Sequence, residues 1–242
     1  MYRLAVYDYK VSLIMTFFEY YFSNFIKSNA MKNLWLSILS IMTLSCQSKS
    51  NNVEKFEPNT MNIENGKEIA IFAGGCFWCT EAVFLELNGV ENVKPGYIGG
   101  KTVNPTYEDI CTGTTGHAEA IKIIFDPSKI SYGELLEVFF ATHDPTTINR
   151  QGADMGTQYR SEVFCINSKQ KEVALAYIKQ LNDANTYGKN VVTKVSDAST
   201  FYIAEDYHQN YYNQNKNKSY CTYVITPKID KVRKEFKDKL KK

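Results

Sequence analysis

Two cysteines placed three residues apart, Cys76 and Cys79, are the part of the sequence best suited to chemistry. They enclose a phenylalanine and a tryptophan and directly follow two glycines, in the segment GGCFWCTE at residues 74–81. A cysteine acts as a nucleophile only as its thiolate, and the N-terminus of a helix stabilises that anion by about 0.3–1 kcal/mol at an exposed site. Side chains three residues apart share one face of a helix, so the two thiols are also placed to form a disulfide.

Three kinds of protein are compatible with this segment taken by itself. They are a thioredoxin-like oxidoreductase, a metal-binding module, and an enzyme with one nucleophilic cysteine and a second thiol that regenerates it. The thioredoxin-like alternative has a weakness, because in those proteins the tryptophan precedes the first cysteine, whereas Phe77 and Trp78 lie between the two here. A zinc site is disfavoured because the chain has three histidines and no second Cys-X-X-Cys pair, so no metal is expected.

The overall composition narrows the class of partner. The chain carries 28 Lys and Arg against 26 Asp and Glu, a formal net charge of +2 over 242 residues. So small an excess does not attract nucleic acid through bulk charge, and no nucleic-acid partner is expected. Hydrophobic residues make up 44% of the chain, which is enough for a well-filled core.

The elements that position the two cysteines are a strand at 68–73 and a helix from Cys76 to Leu87. Ser131 and Glu134 have the spacing of a capping box, which predicts the start of another helix. Alternating helices and strands indicate a single domain of the α/β (α+β) class. The remaining predicted strands are at 90–97, 118–125, 160–166 and 191–195, and the remaining predicted helices are at 131–142, 168–181, 204–215 and 228–242.

The first 67 residues do not share this pattern. From Met31, one lysine precedes an apolar run of twelve residues at 34–45, which has the length of a signal peptide and is too short to span a bilayer. Cys46 follows a small residue at the end of this run, an arrangement that resembles the lipobox of bacterial lipoproteins. We therefore expect an exported lipoprotein of the cell envelope, tethered to the membrane through Cys46, or a cytoplasmic protein if the segment is not a functional signal.

The predicted domain organisation follows from these segments. Translation is hypothesised to begin at Met31, so that the preceding residues are an over-extended start of the gene or a longer signal region. The organisation is an N-terminal extension (1–46) with the signal-like segment at 31–46, a flexible linker (47–67) and a catalytic domain (68–242).

Four motifs distinguish the three alternatives for the cysteine pair. They are GCFW (75–78), NPTYEDICTGTTGHAEA (104–120), HDPTTINRQGADMGTQYRS (143–161) and YHQNYY (207–212). Together, and in this order, they resemble the A-type peptide methionine sulfoxide reductases from about residue 68 to the C-terminus. The resemblance implies a ferredoxin-like two-layer sandwich, here with an N-terminal extension. It also implies reduction of methionine-S-sulfoxide, free or in oxidised proteins, with no bound cofactor and with a thioredoxin-type dithiol as electron donor. A monomer is expected.

The resemblance also implies roles for individual residues. Cys76 corresponds to the nucleophile that attacks the sulfoxide sulfur, and Phe77 and Trp78 correspond to the hydrophobic wall that holds the substrate methyl group. Glu119 corresponds to the acid that protonates the sulfoxide oxygen, which requires burial that raises its pKa. Further expected members of the site are Tyr107 and Tyr159, which donate hydrogen bonds to that oxygen, and Asp154, which orders the hydrogen bonds of the pocket. His117 and His208 are expected to be structural.

The cysteine that regenerates the nucleophile is left open by the sequence. After methionine leaves, Cys76 is a sulfenic acid, and a second thiol condenses with it to a disulfide that the donor reduces. Cys221 corresponds to the family's resolving cysteine, but the chain continues with TYVITPK (222–228) where glycines are usual. Cys79 is the other candidate, and Cys111 and Cys165 are expected to be buried. The competing hypothesis for the whole protein is a general dithiol–disulfide oxidoreductase that uses Cys76 and Cys79.

Overall fold

The structure is a computed structural model of the chain, and it describes residues 55–56 and 66–242. The predicted signal-like segment with Cys46, and most of the predicted linker, lie outside the described residues. Among the residues that are described, no helix is both long enough and apolar enough to cross a membrane.

The described strands form one large sheet and one small hairpin. In the large sheet the strands Ser161–Cys165 and Lys194–Asp197 pair in parallel, and all other neighbouring strands pair antiparallel. Its strands are β1 (Lys55–Phe56), β2 (Glu68–Gly74), β3 (Val90–Ile98), β4 (Ala118–Phe125), β7 (Ser161–Cys165), β8 (Lys194–Asp197) and β9 (Phe201–Ile203). The spatial order is β1-β9-β3-β4-β2-β7-β8. The hairpin pairs β5 (Arg150–Gln151) with β6 (Asp154–Met155).

The helices vary from one turn to more than four turns. They are α1 (Phe77–Leu85), α2 (Tyr107–Cys111), α3 (Tyr132–Thr142), α4 (Ser168–Asp183), α5 (Tyr211–Gln214) and α6 (Thr226–Glu235). A π-helical segment, Cys221–Ile225, runs directly into α6, and single 3₁₀ turns are at Thr157–Tyr159, Asp206–His208 and Lys237–Lys239.

The predicted ferredoxin-like sandwich is confirmed by the connectivity of the central elements. The order β2-α1-β3-β4-α3-β7 is a β-α-β-β-α-β unit, in which four antiparallel strands lie in the order β3-β4-β2-β7. Helix α1 therefore passes over β4 to reach β3, and α3 passes over β2 to reach β7. This arrangement places β2 and β4 at the centre of the sheet, where each has a neighbour on both sides.

Both faces of the central strand β2 are buried. Ala70 and Phe72 pack into the larger hydrophobic cluster with the helices, while Ile69, Ile71 and Ala73 belong to a second cluster on the opposite face. A strand buried on both faces is a continuous apolar run rather than an alternating one, which explains the sequence EIAIFAG. The chain thus leaves β2 at a rigid point of the core, two residues before Cys76.

Local sequence signals predicted most of these elements, with one clear failure. The predicted strand at 118–125 is confirmed as β4, and the capping box forms, with Glu134 N–H donating to Ser131 Oγ at 3.2 Å. The predicted helix at 204–215 is wrong: the chain forms a 3₁₀ turn and the single turn of α5 instead. Asn210 between them takes a left-handed conformation with φ of 52°, which interrupts a helix.

Candidate active site

The turn between β2 and α1 places Cys76 at the N-cap position of the helix. Gly75 has a φ of +90°, and a Cβ atom there would lie 2.6 Å from the side chain of Gln151 in β5. A Cβ atom at Gly74 would lie 2.8 Å from the ring of Phe139. The two glycines are therefore needed for the hairpin and α3 to pack closely against the turn that carries the thiol.

Glu119 faces this turn from the centre of the sheet. It lies on β4, its side chain is buried, and its Oε2 accepts a hydrogen bond from the backbone N–H of Phe77 at 3.0 Å. Burial raises the pKa of this carboxyl to about 8, although the hydrogen bond from Phe77 opposes the shift; the charges of Asp154 and Cys79 add to it. At neutral pH Glu119 therefore carries a proton beside the cysteine, as predicted for an acid catalyst.

An aromatic wall extends from the first turn of α1. The ring of Trp78 stacks on Tyr211 at a centroid distance of 3.7 Å, and its indole Nε1–H donates to Nδ1 of His208 at 3.1 Å. The ring of Phe77 lies 5.0 Å from the same histidine. Burial lowers the pKa of His208, so its Nδ1 remains an acceptor and fixes the orientation of the indole. His208 thus has the structural role that was predicted.

A buried carboxyl on α1 holds this wall in place and was missed by the sequence analysis. Glu81 is 1% exposed and accepts hydrogen bonds from the backbone N–H groups of Asn210 at 2.6 Å and of Tyr211 at 3.2 Å. Burial raises its pKa to about 7 against the effect of these bonds. The sequence did not predict this role for Glu81, because nothing in the sequence relates one glutamate of α1 to a segment 129 residues away.

Two tyrosine hydroxyl groups are kept protonated next to the acid. Tyr107 begins α2, and its N–H donates to Glu205 Oε1 at 2.8 Å while its ring packs against His208 at 4.5 Å. Tyr159 ends the 3₁₀ turn before β7. Burial raises the pKa of both hydroxyls, and the charge of Glu119 adds to the effect. Each group is therefore a hydrogen-bond donor at any pH near neutral.

Asp154, in the β5–β6 hairpin, belongs to a hydrogen-bonded chain that reaches the cysteine pair. Its Oδ2 accepts the hydroxyl proton of Tyr220 at 2.7 Å, and the oxygen of Tyr220 lies 3.7 Å from Cys79 Sγ. The hydroxyl of Tyr220 thus links the carboxylate of Asp154 to the sulfur of Cys79. Tyr220 was not among the predicted site residues; its only sequence signal was its position directly before Cys221.

The two thiols of the pair differ in acidity. Burial raises the pKa of Cys76, which is 8% exposed, and the Cys79 thiol and Glu119 act in the same direction. The pKa of Cys79 is lowered by its interaction with Cys76 and by the charge of Lys228, against the effect of burial. The helix start was expected to stabilise the Cys76 thiolate, and desolvation by burial opposes that effect in the resting state. The two thiols interact, so the protonation of each depends on that of the other.

The other cysteines lie in different environments. Cys221 is fully buried at the start of the π-helical segment, and burial followed by the charge of Cys79 raises its pKa. Cys165 is buried, as predicted. Cys111 was predicted to be buried and is exposed, because it ends the one-turn helix α2 at the surface. In the part of the chain that the structure describes, no three His, Cys, Asp or Glu side chains are grouped to hold a metal ion.

The profile of the family described as "Peptide methionine sulfoxide reductase" matches residues 68–240. The chain belongs to this family. A peptide methionine sulfoxide reductase MsrA of Deinococcus radiodurans is 56% identical over 175 residues, which are 72% of this chain and 85% of that protein. The enzyme of the same name from Acinetobacter baumannii is 53% identical over 172 residues, 71% of this chain and 98% of the relative.

Solved structures of the family have the same fold. Mxr1 from Saccharomyces cerevisiae in reduced form matches with a TM-score of 0.61 and 32% identity, over 64% of this chain and 90% of Mxr1. Methionine sulfoxide reductase A of Corynebacterium diphtheriae matches with a TM-score of 0.58 and 34% identity, over 66% of this chain and 81% of that structure. The protein is thus an A-type peptide methionine sulfoxide reductase, an oxidoreductase that reduces methionine sulfoxide.

Proposed function

We propose that this reductase acts on the S epimer of methionine sulfoxide, free or in oxidised proteins, with Cys76 as nucleophile and Glu119 as acid. The observation that carries the proposal is the contact between Glu119 and the N–H of Phe77, because it holds a protonated carboxyl next to Cys76. Sulfoxide sulfur is electrophilic only when its oxygen is protonated or strongly hydrogen-bonded. An acid of pKa about 8 supplies that proton at neutral pH.

The first half-reaction uses the wall and the two tyrosines. The substrate methyl group packs against Phe77 and Trp78, and the oxygen points to Glu119 and to the hydroxyls of Tyr107 and Tyr159. The Cys76 sulfur attacks the sulfoxide sulfur, Glu119 gives its proton to the oxygen, and the thiol proton of Cys76 returns to Glu119. The hydroxyl group then transfers from the substrate sulfur to Cys76 Sγ: the new sulfur–oxygen bond forms on Cys76 while the substrate's sulfur–oxygen bond and the bond between the two sulfurs break. Methionine leaves with the electron pair of the bond between the sulfurs, and Cys76 is left as a sulfenic acid.

The second half-reaction is assigned to Cys79 rather than to Cys221. The Cys79 thiol interacts with Cys76 in the resting protein and has a lowered pKa, which favours its attack on the sulfenic acid. Condensation forms the Cys76–Cys79 disulfide and releases water. A thioredoxin-type dithiol then reduces that disulfide. Cys221 is fully buried and its pKa is raised, so its thiolate is disfavoured as the attacking group.

Kinetics on separated epimers, followed by peptide mapping, test this assignment. We expect turnover of the S epimer with reduced thioredoxin and none of the R epimer. Enzyme stopped after one turnover without donor is expected to contain a Cys76–Cys79 disulfide. Turnover of the S epimer by Glu119→Gln at the wild-type rate would show that Glu119 is not the acid, and turnover of neither epimer by the wild-type protein would favour a general dithiol–disulfide oxidoreductase.

The location of the enzyme is a separate proposal that depends on the N-terminal sequence. The apolar run at 34–45 and the cysteine that follows it support export and attachment to the membrane through a lipidated Cys46. Mass spectrometry of the mature protein is expected to show an N-terminus at Cys46 with a lipid mass. A soluble product that begins at Met1 would contradict this.

A further inference from the structure

A cavity of about 260 Å³ lies against the cysteine pair on the side of the β5–β6 hairpin and the π-helical segment. Both Cys76 and Cys79 line it, together with Asp154, Tyr223 and Lys228. The residues assigned to the substrate's methyl group and oxygen do not line it. The two sulfur atoms are therefore reached from this cavity without passing along the aromatic wall or Glu119.

One fixed positive charge lies in the cavity. The Nζ of Lys228, on α6, donates to the backbone carbonyl of Thr142 at 3.1 Å, which holds the side chain against the end of α3. Lys228 and Cys79 line the same cavity, and the charge of Lys228 is one of the causes that lower the pKa of Cys79. Lys231, one turn later, makes the same kind of bond to the carbonyl of Ala141 but does not line the cavity.

The mouth of the cavity is both apolar and basic. The ring of Tyr223 is 79% exposed there, which makes it one of the most exposed large hydrophobic side chains of the described residues. Lys228 is the basic residue among those that line the cavity. A partner that approaches this mouth thus meets an exposed ring and the ammonium group of Lys228, and a negative charge beside the partner's sulfur is complementary to that group.

We propose that this cavity is the entrance for the reducing thiol, that it is separate from the sulfoxide pocket, and that Lys228 selects a dithiol carrying negative charge beside its sulfur. The proposal rests on the proposed function, because it requires Cys79 to be the cysteine that resolves the sulfenic acid. It assigns a site to the second half-reaction, which does not use the aromatic wall or Glu119.

The step itself is a pair of thiol–disulfide exchanges. A thiolate of the reductant attacks Cys76 Sγ, the Cys76–Cys79 bond breaks, and its electron pair leaves on Cys79. Lys228 stabilises that departing thiolate, which speeds the exchange because a sulfur of lower pKa leaves faster. The second thiol of the reductant then attacks the mixed disulfide and releases Cys76. The reductant is oxidised to its disulfide, and its two protons end on Cys76 and Cys79.

Two small thiols of similar size and opposite charge test the entrance directly. Enzyme oxidised with one equivalent of methionine sulfoxide is mixed with 2-mercaptoethanesulfonate, an anion, or with cysteamine, a cation. Opening of the Cys76–Cys79 disulfide is followed by alkylation and mass spectrometry, and rates are corrected for the thiolate fraction of each reagent. We expect the anion to react about fivefold faster, the effect of one partly exposed charge contact.

The variant Lys228→Glu is expected to reverse this preference, and Lys228→Ala to abolish it. Lys231→Glu is the matched control, since it changes the same charge on the same helix outside the cavity, and it should keep the ratio within about twofold. The ratio of two reagents on one protein is insensitive to a partial loss of folded enzyme. Single-turnover formation of methionine by reduced Lys228→Glu should stay within about twofold of wild type, because the first half-reaction does not use this cavity.

Three results would overturn the proposal. An unchanged reagent ratio in Lys228→Glu means that the thiol enters elsewhere. A higher KM for methionine sulfoxide in that variant, with unchanged disulfide reduction, means that the cavity holds the substrate chain. Peptide mapping that finds a Cys76–Cys221 disulfide instead removes the resolving role of Cys79, and the entrance fails together with that part of the proposed function.

Discussion

The two sides of Cys76 are built for opposite proton states. On the sheet side, Glu119 is buried and its pKa is raised to about 8, so it holds a proton that it is able to give away. On the hairpin side, the pKa of Cys79 is lowered and Lys228 is nearby, so a thiolate is stabilised there. Sulfoxide reduction needs an acid in its first half and a thiolate leaving group in its second. The structure separates these requirements around one sulfur atom.

The difference arises from what covers each side. Glu119 lies on a central strand with neighbours on both edges, so water cannot reach it and its charged form is disfavoured. The hairpin side is closed only by short elements, β5, β6 and the π-helical segment, which leave a cavity. Burial therefore has the largest effect on the pKa of Glu119, while hydrogen bonds and a lysine together outweigh burial in their effect on the pKa of Cys79.

Replacement of Cys76 should abolish both half-reactions and have the largest effect of these variants. Cys76→Ser is expected to lower kcat/KM at least about 10⁴-fold, since a hydroxyl at this position is a far weaker nucleophile. The measurement is methionine formation from the S epimer, with a thermal melt to show that the fold is intact. Residual activity above one tenth of wild type would mean that another thiol attacks.

Glu119→Gln should slow only the first half-reaction, and we expect the rate of the first turnover to fall about 10²–10⁴-fold. The carboxyl is protonated below its raised pKa, so wild-type single-turnover rates should fall as the pH rises through about 8. This fall in rate is expected to be absent from the pH profile of Glu119→Gln. A wild-type profile that stays flat to pH 9 would show that the proton comes from another group.

Cys79→Ser should slow only the second half-reaction, in which the sulfenic acid is resolved and reduced. We expect the first turnover to proceed near the wild-type rate, while steady-state turnover with reduced thioredoxin falls at least about tenfold because the sulfenic acid is no longer resolved. Cys221→Ser is the matched comparison and is expected to keep steady-state turnover. The opposite pattern for the two variants would transfer the resolving role to Cys221.

The smallest effect is expected at the support of the aromatic wall. Glu81→Gln keeps the shape of the side chain but weakens the bonds to the N–H groups of Asn210 and Tyr211. Looser packing of Tyr211 on Trp78 should raise KM for the sulfoxide about threefold, with kcat and disulfide reduction little changed. An equal loss in disulfide reduction would mean that the two sides are not independent.

Local patterns were sufficient for much of the fold. The capping box of α3 and the strand β4 were predicted correctly, because neighbours in sequence decide them through short-range bonds and side-chain period. Motif residues such as Glu119 and Tyr107 were named for a different reason, since the resemblance of their segments to family motifs implied their roles. The failed helix at 204–215 shows the limit, since Asn210 is held in its conformation beside Glu81, far away in the chain.

The sequence by itself determined that a cysteine pair follows a strand and starts a helix, and that a glutamate, tyrosines and an aspartate accompany it in family motifs. Only the tertiary structure decided their protonation and their division into two sides. A pKa depends on burial and on charges brought within a few ångströms, and those neighbours come from distant segments: Glu119 is 42 residues from its partner Phe77, and Tyr220 is 141 residues from Cys79. Residue types can be read along the chain, whereas their solvent and electrostatic surroundings exist only after the chain has folded.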